Sequence, residues 1–255
     1  MPHSPQPVLA PILSDAWALF RRDRDWVLPL AAPFLFLPAY ALALLVPPIP
    51  APSADASLDR EARALAWAQQ LSQWIGEHGH WHLLAYAVGY AGVAAIIAAY
   101  LDGRAGTVGG ALRRVGSLLP RYWLAMLLVA LPAGAGMLLY VLPGLYVLGR
   151  TLLVGPVLVA ERPTGALAAL GRSFGLTRGV GLPMTALAAL VWAGSSLIGL
   201  PFSALAASLR GGEDPSRMLL AAADAGVAGA AMLAGVAQAL VAVAAYRRLA
   251  ARKGT

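Results

Sequence analysis

The chain has no cysteine, four histidines and a single lysine among its 255 residues. Without thiols, disulfides, thiolate nucleophiles and cysteine-ligated metals are excluded. The histidines, at 3, 78, 80 and 82, all fall outside the long apolar runs. An intramembrane serine protease needs an imidazole beside its serine, so Ser195 and Ser196 lack the expected partner. Charge is scarce as well: Asp, Glu, Lys and Arg make 12% of the chain, against about 25% in ordinary soluble domains. There is no Gly-Lys-Ser/Thr phosphate loop and no dinucleotide glycine pattern. Neither catalysis nor a cofactor is expected.

What the chain does hold is apolar length. Hydrophobic residues make 59% of it, gathered in runs at 27–46, 83–101, 123–141, 144–160, 182–206 and 219–245. Each can cross a hydrocarbon core, which takes about 17–25 apolar residues as helix. Only the fourth and sixth runs contain a charge, Arg150 and Asp224. The reading is an all-α polytopic protein, residues 1–255 forming one integral membrane domain with no room for a separate soluble core. Fourteen of the nineteen basic residues alternate to one side of the runs: Arg21, Arg22, Arg24, Arg104, Arg113, Arg114, Arg121, Arg162, Arg172, Arg178, Arg247, Arg248, Arg252 and Lys253. Positive residues gather in cytoplasmic loops, so both termini are expected inside. The first run starts only at Val27, after charged residues, and reads as an uncleaved signal anchor. The net charge of +7 then implies anionic phospholipid headgroups as the counter-charge rather than nucleic acid.

Three inside segments carry amphipathic patterns. Leu9, Ile12, Ala16, Leu19 and Phe20 recur at helical spacing before the first run; Val108, Leu112, Val115 and Leu119 do so before the third. Before the fifth, Leu167, Leu170 and Phe174 share a face. Such helices lie in the interface and offer Arg113, Arg114, Arg172 and Arg178 to lipid phosphates. The chain thus divides into three units of interfacial helix, span out and span back. Outside, Pro47, Pro48, Pro50 and Pro52 impose an extended stretch. A helix follows, with Ala64, Trp67, Leu71, Trp74 and Ile75 on one face and tryptophans at the water–lipid boundary. Pro143-Gly144 is expected to close the turn between runs three and four.

Candidate chemistry is sparse. His78, His80 and His82 supply imidazoles at a spacing a metal could use, but with only Glu77 nearby they read as a solvated interfacial cluster. Arg150 is costly in a span, about 2.5–3.5 kcal/mol, and demands a partner. Counted from their nearest turns, Arg150 and Asp224 both fall about 8–10 Å below the outer edge, which predicts an Arg150–Asp224 pair between spans four and six. That pair is either structural glue or the lining of a substrate or proton path with Gln238. Ala222, Gly226 and Ala230 form a small-residue face for close helix approach, and Pro132 and Pro201 are expected to kink their spans.

Several motifs carry a resemblance. They are Tyr100-Leu-Asp-Gly-Arg104, Thr107-Val-Gly-Gly-Ala-Leu-Arg-Arg114, Leu142-Pro-Gly-Leu-Tyr146-Val-Leu-Gly-Arg150, Gly155-Pro-Val-Leu-Val-Ala-Glu161 and Gly171-Arg-Ser173-Phe-Gly-Leu-Thr177-Arg-Gly179. Across this middle third the chain resembles the YciC-type family of bacterial inner-membrane proteins, which is similar in turn to the membrane domain of some glycerophosphodiester phosphodiesterases. The resemblance implies a six-span inner-membrane protein without an assigned activity, and lends no catalytic residue. The favoured role is a lipid-associated or organising protein acting through its arginine-bearing interfacial helices. The competing role is a small transporter with a polar path at Arg150, Asp224 and Gln238.

Overall fold

Runs this long and apolar satisfy their backbone groups in lipid only by closing hydrogen bonds within each segment. The computed structural model is accordingly 89% helical, with no strand among the described residues, which are 8–52, 59–101, 108–212 and 216–253. Helix α1 (Leu9–Ala31) passes through a π-helical segment (Ala32–Phe36) into α2 (Leu37–Leu45). Then come α3 (Arg60–Leu101), α4 (Val108–Leu139), α5 (Val141–Thr151) and α6 (Val154–Ala160). The last are α7 (Ala166–Leu176), α8 (Gly181–Arg210) and α9 (Arg217–Lys253). Six stretches are long and apolar enough to cross a bilayer: Leu9–Leu45, Arg60–Leu101, Val115–Leu139, Val141–Ala160, Gly181–Arg210 and Arg217–Arg252. This is the build of a multi-pass membrane protein.

The ends of the elements depart from expectation in informative ways. The first two amphipathic segments run straight into their spans as parts of α1 and α4, whereas the third, α7, is a separate helix. The three units are therefore not alike in geometry. The break after α7 is made at Gly179, whose φ of +85° is a conformation glycine adopts without strain. The turn between α4 and α5 falls at Tyr140, which is extended (φ −156°, ψ 139°), and not at Pro143-Gly144. Proline is tolerated in a helix's first turn, where its missing N–H costs nothing. Gly144 there lets the hairpin close so tightly that a Cβ on Gly136 would stand 2.7 Å from the Gly144 nitrogen. In the first span, Pro29, Pro33 and Pro38 each remove a donor, and the chain answers with the wider π turn. That segment presses Phe34 onto Gly92 and Leu35 onto Gly235. Pro132 and Pro201 lie inside α4 and α8, which continue through them.

Helix α9 is the central post, packed against α8, α1, α3 and α2. Small residues set the approach, as the Ala222–Gly226–Ala230 pattern predicts for two of its members. The Phe202 ring of α8 lies over Gly226, and Ala230 packs near Gly199, while Ala222 is exposed. The tightest crossing joins α5 to α8, where a Cβ on Gly149 would sit 2.5 Å from the Thr185 nitrogen. Backbone cannot yield as a side chain can. Gly149→Ala is therefore expected to cost the overpacking penalty of about 1–3 kcal/mol, read as a lower melting temperature in detergent.

At one end of the bundle, α3 extends about 60 Å in all, so the helix expected at 64–75 and the second span are one element of 42 residues. Trp74 and Trp67 donate their indole N–H groups to the carbonyls of Pro47 (3.1 Å) and Pro50 (2.9 Å). Two of the tryptophans expected at the lipid boundary thus strap the proline stretch to α3, while Trp81 remains half exposed.

Candidate functional site at the basic end of the bundle

The opposite end gathers the arginines. Among the described residues its acids are few and each meets a basic partner. Arg248 holds Asp15 at 2.5 and 2.9 Å, joining the start of α1 to the end of α9. Arg22 binds the adjacent Asp23 at 2.7 Å, and the Tyr100 hydroxyl donates to that carboxylate at 3.0 Å. Arg247 in turn donates to the Tyr100 carbonyl at 2.8 Å. Glu161 accepts from Arg172 at 2.9 Å and from the Tyr246 hydroxyl at 3.1 Å. Asp25, with a side chain 94% exposed, lies 3.6 Å from Arg24. These links tie α1, α3 and α9 together, and the loop residue Glu161 joins α7 to α9.

Positive charge is left over. Arg21, Arg113 and Arg178 are exposed as well. Beside α9, a cleft of about 340 Å³ is lined by Val8, Pro11, Asp15, Arg247, Arg248, Leu249, Ala251 and Arg252, three arginines to one carboxylate. An anion entering it meets guanidinium forks, which bind phosphate or carboxylate oxygens in pairs. Of the four arginines expected at headgroups, Arg113 and Arg178 are exposed, and Arg172 is engaged with Glu161. The Arg114 side chain, with Arg104 and the rest of 102–107, lies outside the described residues. On α7 the buried face is Ala166, Ala169, Ser173 and Leu176, leaving Leu167 and Phe174 exposed on the side assigned to lipid.

The predicted Arg150–Asp224 pair does not form. Asp224, with a side chain only 4% exposed, is bound by Arg210 at 2.6 and 2.8 Å. Depth counting missed this because α8 runs to Arg210, one turn beyond the expected end of its span, and brings a nearer cation. Arg150 instead donates to the carbonyls of Phe174 (2.9 Å) and Thr177 (3.2 Å) at the end of α7. Its guanidinium lies 5.1 Å from the Phe174 ring and 6.0 Å from that of Tyr146. Ser173 donates back to the Arg150 carbonyl at 2.8 Å. The cause is a break in the fourth span at residues 152–153, after which α7 folds back on α6 and reaches Arg150. The C-terminus of α7 thus faces the guanidinium and carries about half a negative charge, a partial counter-charge beside the two carbonyls. An arginine inside an apolar span is thereby stabilised without any acid.

Gln238 is exposed on α9, about 20 Å along the helix from Asp224. Asp224 and Arg210 border a small cavity of about 230 Å³, with Trp74, His82 and Ser203 among its walls. Neither Arg150 nor Gln238 lines that cavity. Of the histidines, His78 and His82 both pack against Trp74, at 5.8 and 5.0 Å between ring centroids, and His80 lies against Trp81. Among the described residues no group of three or more His, Cys, Asp or Glu could hold a metal ion.

Sequence reasoning missed the Asp15–Arg248, Asp23–Tyr100 and Glu161–Tyr246 contacts. Their partners stand up to 233 residues apart, and no local spacing signals them. No family model matches the chain, and neither does any curated protein or solved structure.

Proposed function

We propose that this is a YciC-like bacterial inner-membrane protein, with its basic end in the cytoplasm, that associates with anionic phospholipids. The observation that carries the reading is the arginine surplus of that end, where Arg21, Arg113 and Arg178 stand exposed in addition to the paired arginines and Arg247 lines a cleft. Arginines at a membrane surface attract anionic lipid with about 1 kcal/mol each. The links among α1, α3, α7 and α9 fix where those arginines stand, so a bound headgroup would also brace the helices against one another. That is an organising role, exercised through lipid and without chemistry. The spread of Arg150, Asp224 and Gln238 over separate surroundings weighs against the transport reading.

The test is retention of lipid after mild extraction, followed by native mass spectrometry. Phosphatidylglycerol is expected to stay bound in preference to phosphatidylcholine. Replacing Arg247 and Arg252 by Gln should weaken that retention about fivefold per arginine, the equivalent of ~1 kcal/mol each. Equal retention of charged and zwitterionic lipid by the unaltered protein would overturn the proposal.

A further inference from the structure

The other side of α1 faces a different kind of space. A cavity of about 430 Å³ lies between α1, α8 and α9, within the range of sites that hold an extended organic ligand. Of its lining side chains only Ser195 is polar, apart from the indole of Trp17, and the Ser195 hydroxyl is already spent on the Trp192 carbonyl at 2.9 Å. A water or polar solute would find too few partners there; apolar cavities stay dry and take apolar guests.

The void has a structural cause. Towards the far end of the bundle, Phe202 over Gly226 sets the separation of α8 and α9. Nearer the basic end the facing residues are Gly194, Ala234 and Ala237, too short to fill that separation. Trp17 and Phe20 of α1 close the cavity on the basic side. One helical turn beyond them on the same face of α1 stand Arg21 and Arg24, both exposed. Along this face the chain presents an apolar slot, then an indole at its rim, then two guanidinium groups. That is the order of groups along a phospholipid, read from tail to phosphate.

We infer that the α1–α8–α9 cavity holds one acyl chain of a phospholipid from the leaflet at the basic end, whose phosphate lies at Arg21 and Arg24. The inference deepens the proposed lipid association, but its core, the acyl slot, does not depend on headgroup charge.

The experiment uses the full chain in nanodiscs, with phosphatidylcholine or phosphatidylglycerol carrying a diazirine at mid-chain, and maps the adducts by peptide mass spectrometry. Adducts are expected to concentrate on 190–198 and 230–241 with both lipids. The double variant Gly194→Leu, Ala234→Leu fills the slot. Each excluded methylene is worth about fourfold in occupancy, so cavity adducts should fall roughly tenfold or more while those on the exposed residues Leu131 and Leu138 stay constant. Should that variant fold poorly, competition in the unaltered protein decides: unlabelled long-chain lipid should suppress the cavity adducts and a short-chain lipid should not. Adducts spread evenly over the lipid-facing surface, or unmoved by both the filling variant and the competitor, overturn the inference. A preference for phosphatidylglycerol without cavity adducts would keep the headgroup reading and remove the acyl site. Equal cavity labelling by both lipids would keep the acyl slot and remove the headgroup preference.

Discussion

Arg210→Ala is expected to lower the unfolding free energy in detergent by about 3 kcal/mol. Breaking a buried ion pair costs about 3–5 kcal/mol, and the low end applies because a third of the Arg210 side chain remains exposed. The loss is that of the partner left behind: Asp224 is nearly fully enclosed by α8 and α9 and cannot turn to water. Asp224→Ala should cost less, since an abandoned Arg210 at the end of α8 can swing outward and hydrate its guanidinium. The double variant Arg210→Met, Asp224→Leu should return to within ~1 kcal/mol of the native protein, because apolar replacements remove both desolvation costs together. A double-mutant cycle separates this from the pairing suggested by depth. Arg150→Ala and Asp224→Ala share no partner and should add within about 0.5 kcal/mol. A larger coupling between those two positions would contradict the geometry.

The six spans were legible because a bilayer sets simple terms: enough apolar length, no charge, and arginine gathered at one end. Those terms act on each segment alone, so reading the chain segment by segment succeeds. Helix ends were less legible. Arg210 stands four residues past the point where the apolar run fades, and that one turn decided the partner of Asp224. The surroundings of Arg150 were not legible at all. Its acceptors are main-chain carbonyls, which every residue carries, and they reach it only because α7 folds back at a broken span. Tyr146, Arg150, Ser173, Phe174 and Thr177 come from two separate runs and meet in one contact set. Gln238 differs for another reason: a polar side chain in an apolar helix suggests an inward role, yet it is exposed on α9. The Asp15–Arg248 tie joins residues near opposite ends of the chain, a proximity that only the packed fold creates.

Arg150→Met should separate insertion from folding, with opposite signs. Methionine keeps much of the apolar stem, so packing over Gly181 changes little. Removing a guanidinium from a span should improve insertion, by up to the ~2.5–3.5 kcal/mol that an arginine costs at mid-membrane. Folding should suffer instead. The carbonyls of Phe174 and Thr177 each lose a charged donor, worth about 1.5–3 kcal/mol in a hydrogen bond, and keep only the Thr177 hydroxyl and the Val180 N–H. The negative end of α7 also loses the charge that faces it. The sum is a loss of about 3–4 kcal/mol concentrated on α7, while the α8–α9 hairpin, held by Phe202 on Gly226, keeps its own contacts. Limited proteolysis reads this directly: trypsin should cut the variant at Arg172 and Arg178 much faster than the native protein, with cleavage at Arg210 and Arg217 unchanged. A variant that inserted better and also resisted trypsin at α7 would show that Arg150 is tolerated there without holding anything. The account of an acid-free arginine held by the end of α7 would then fail.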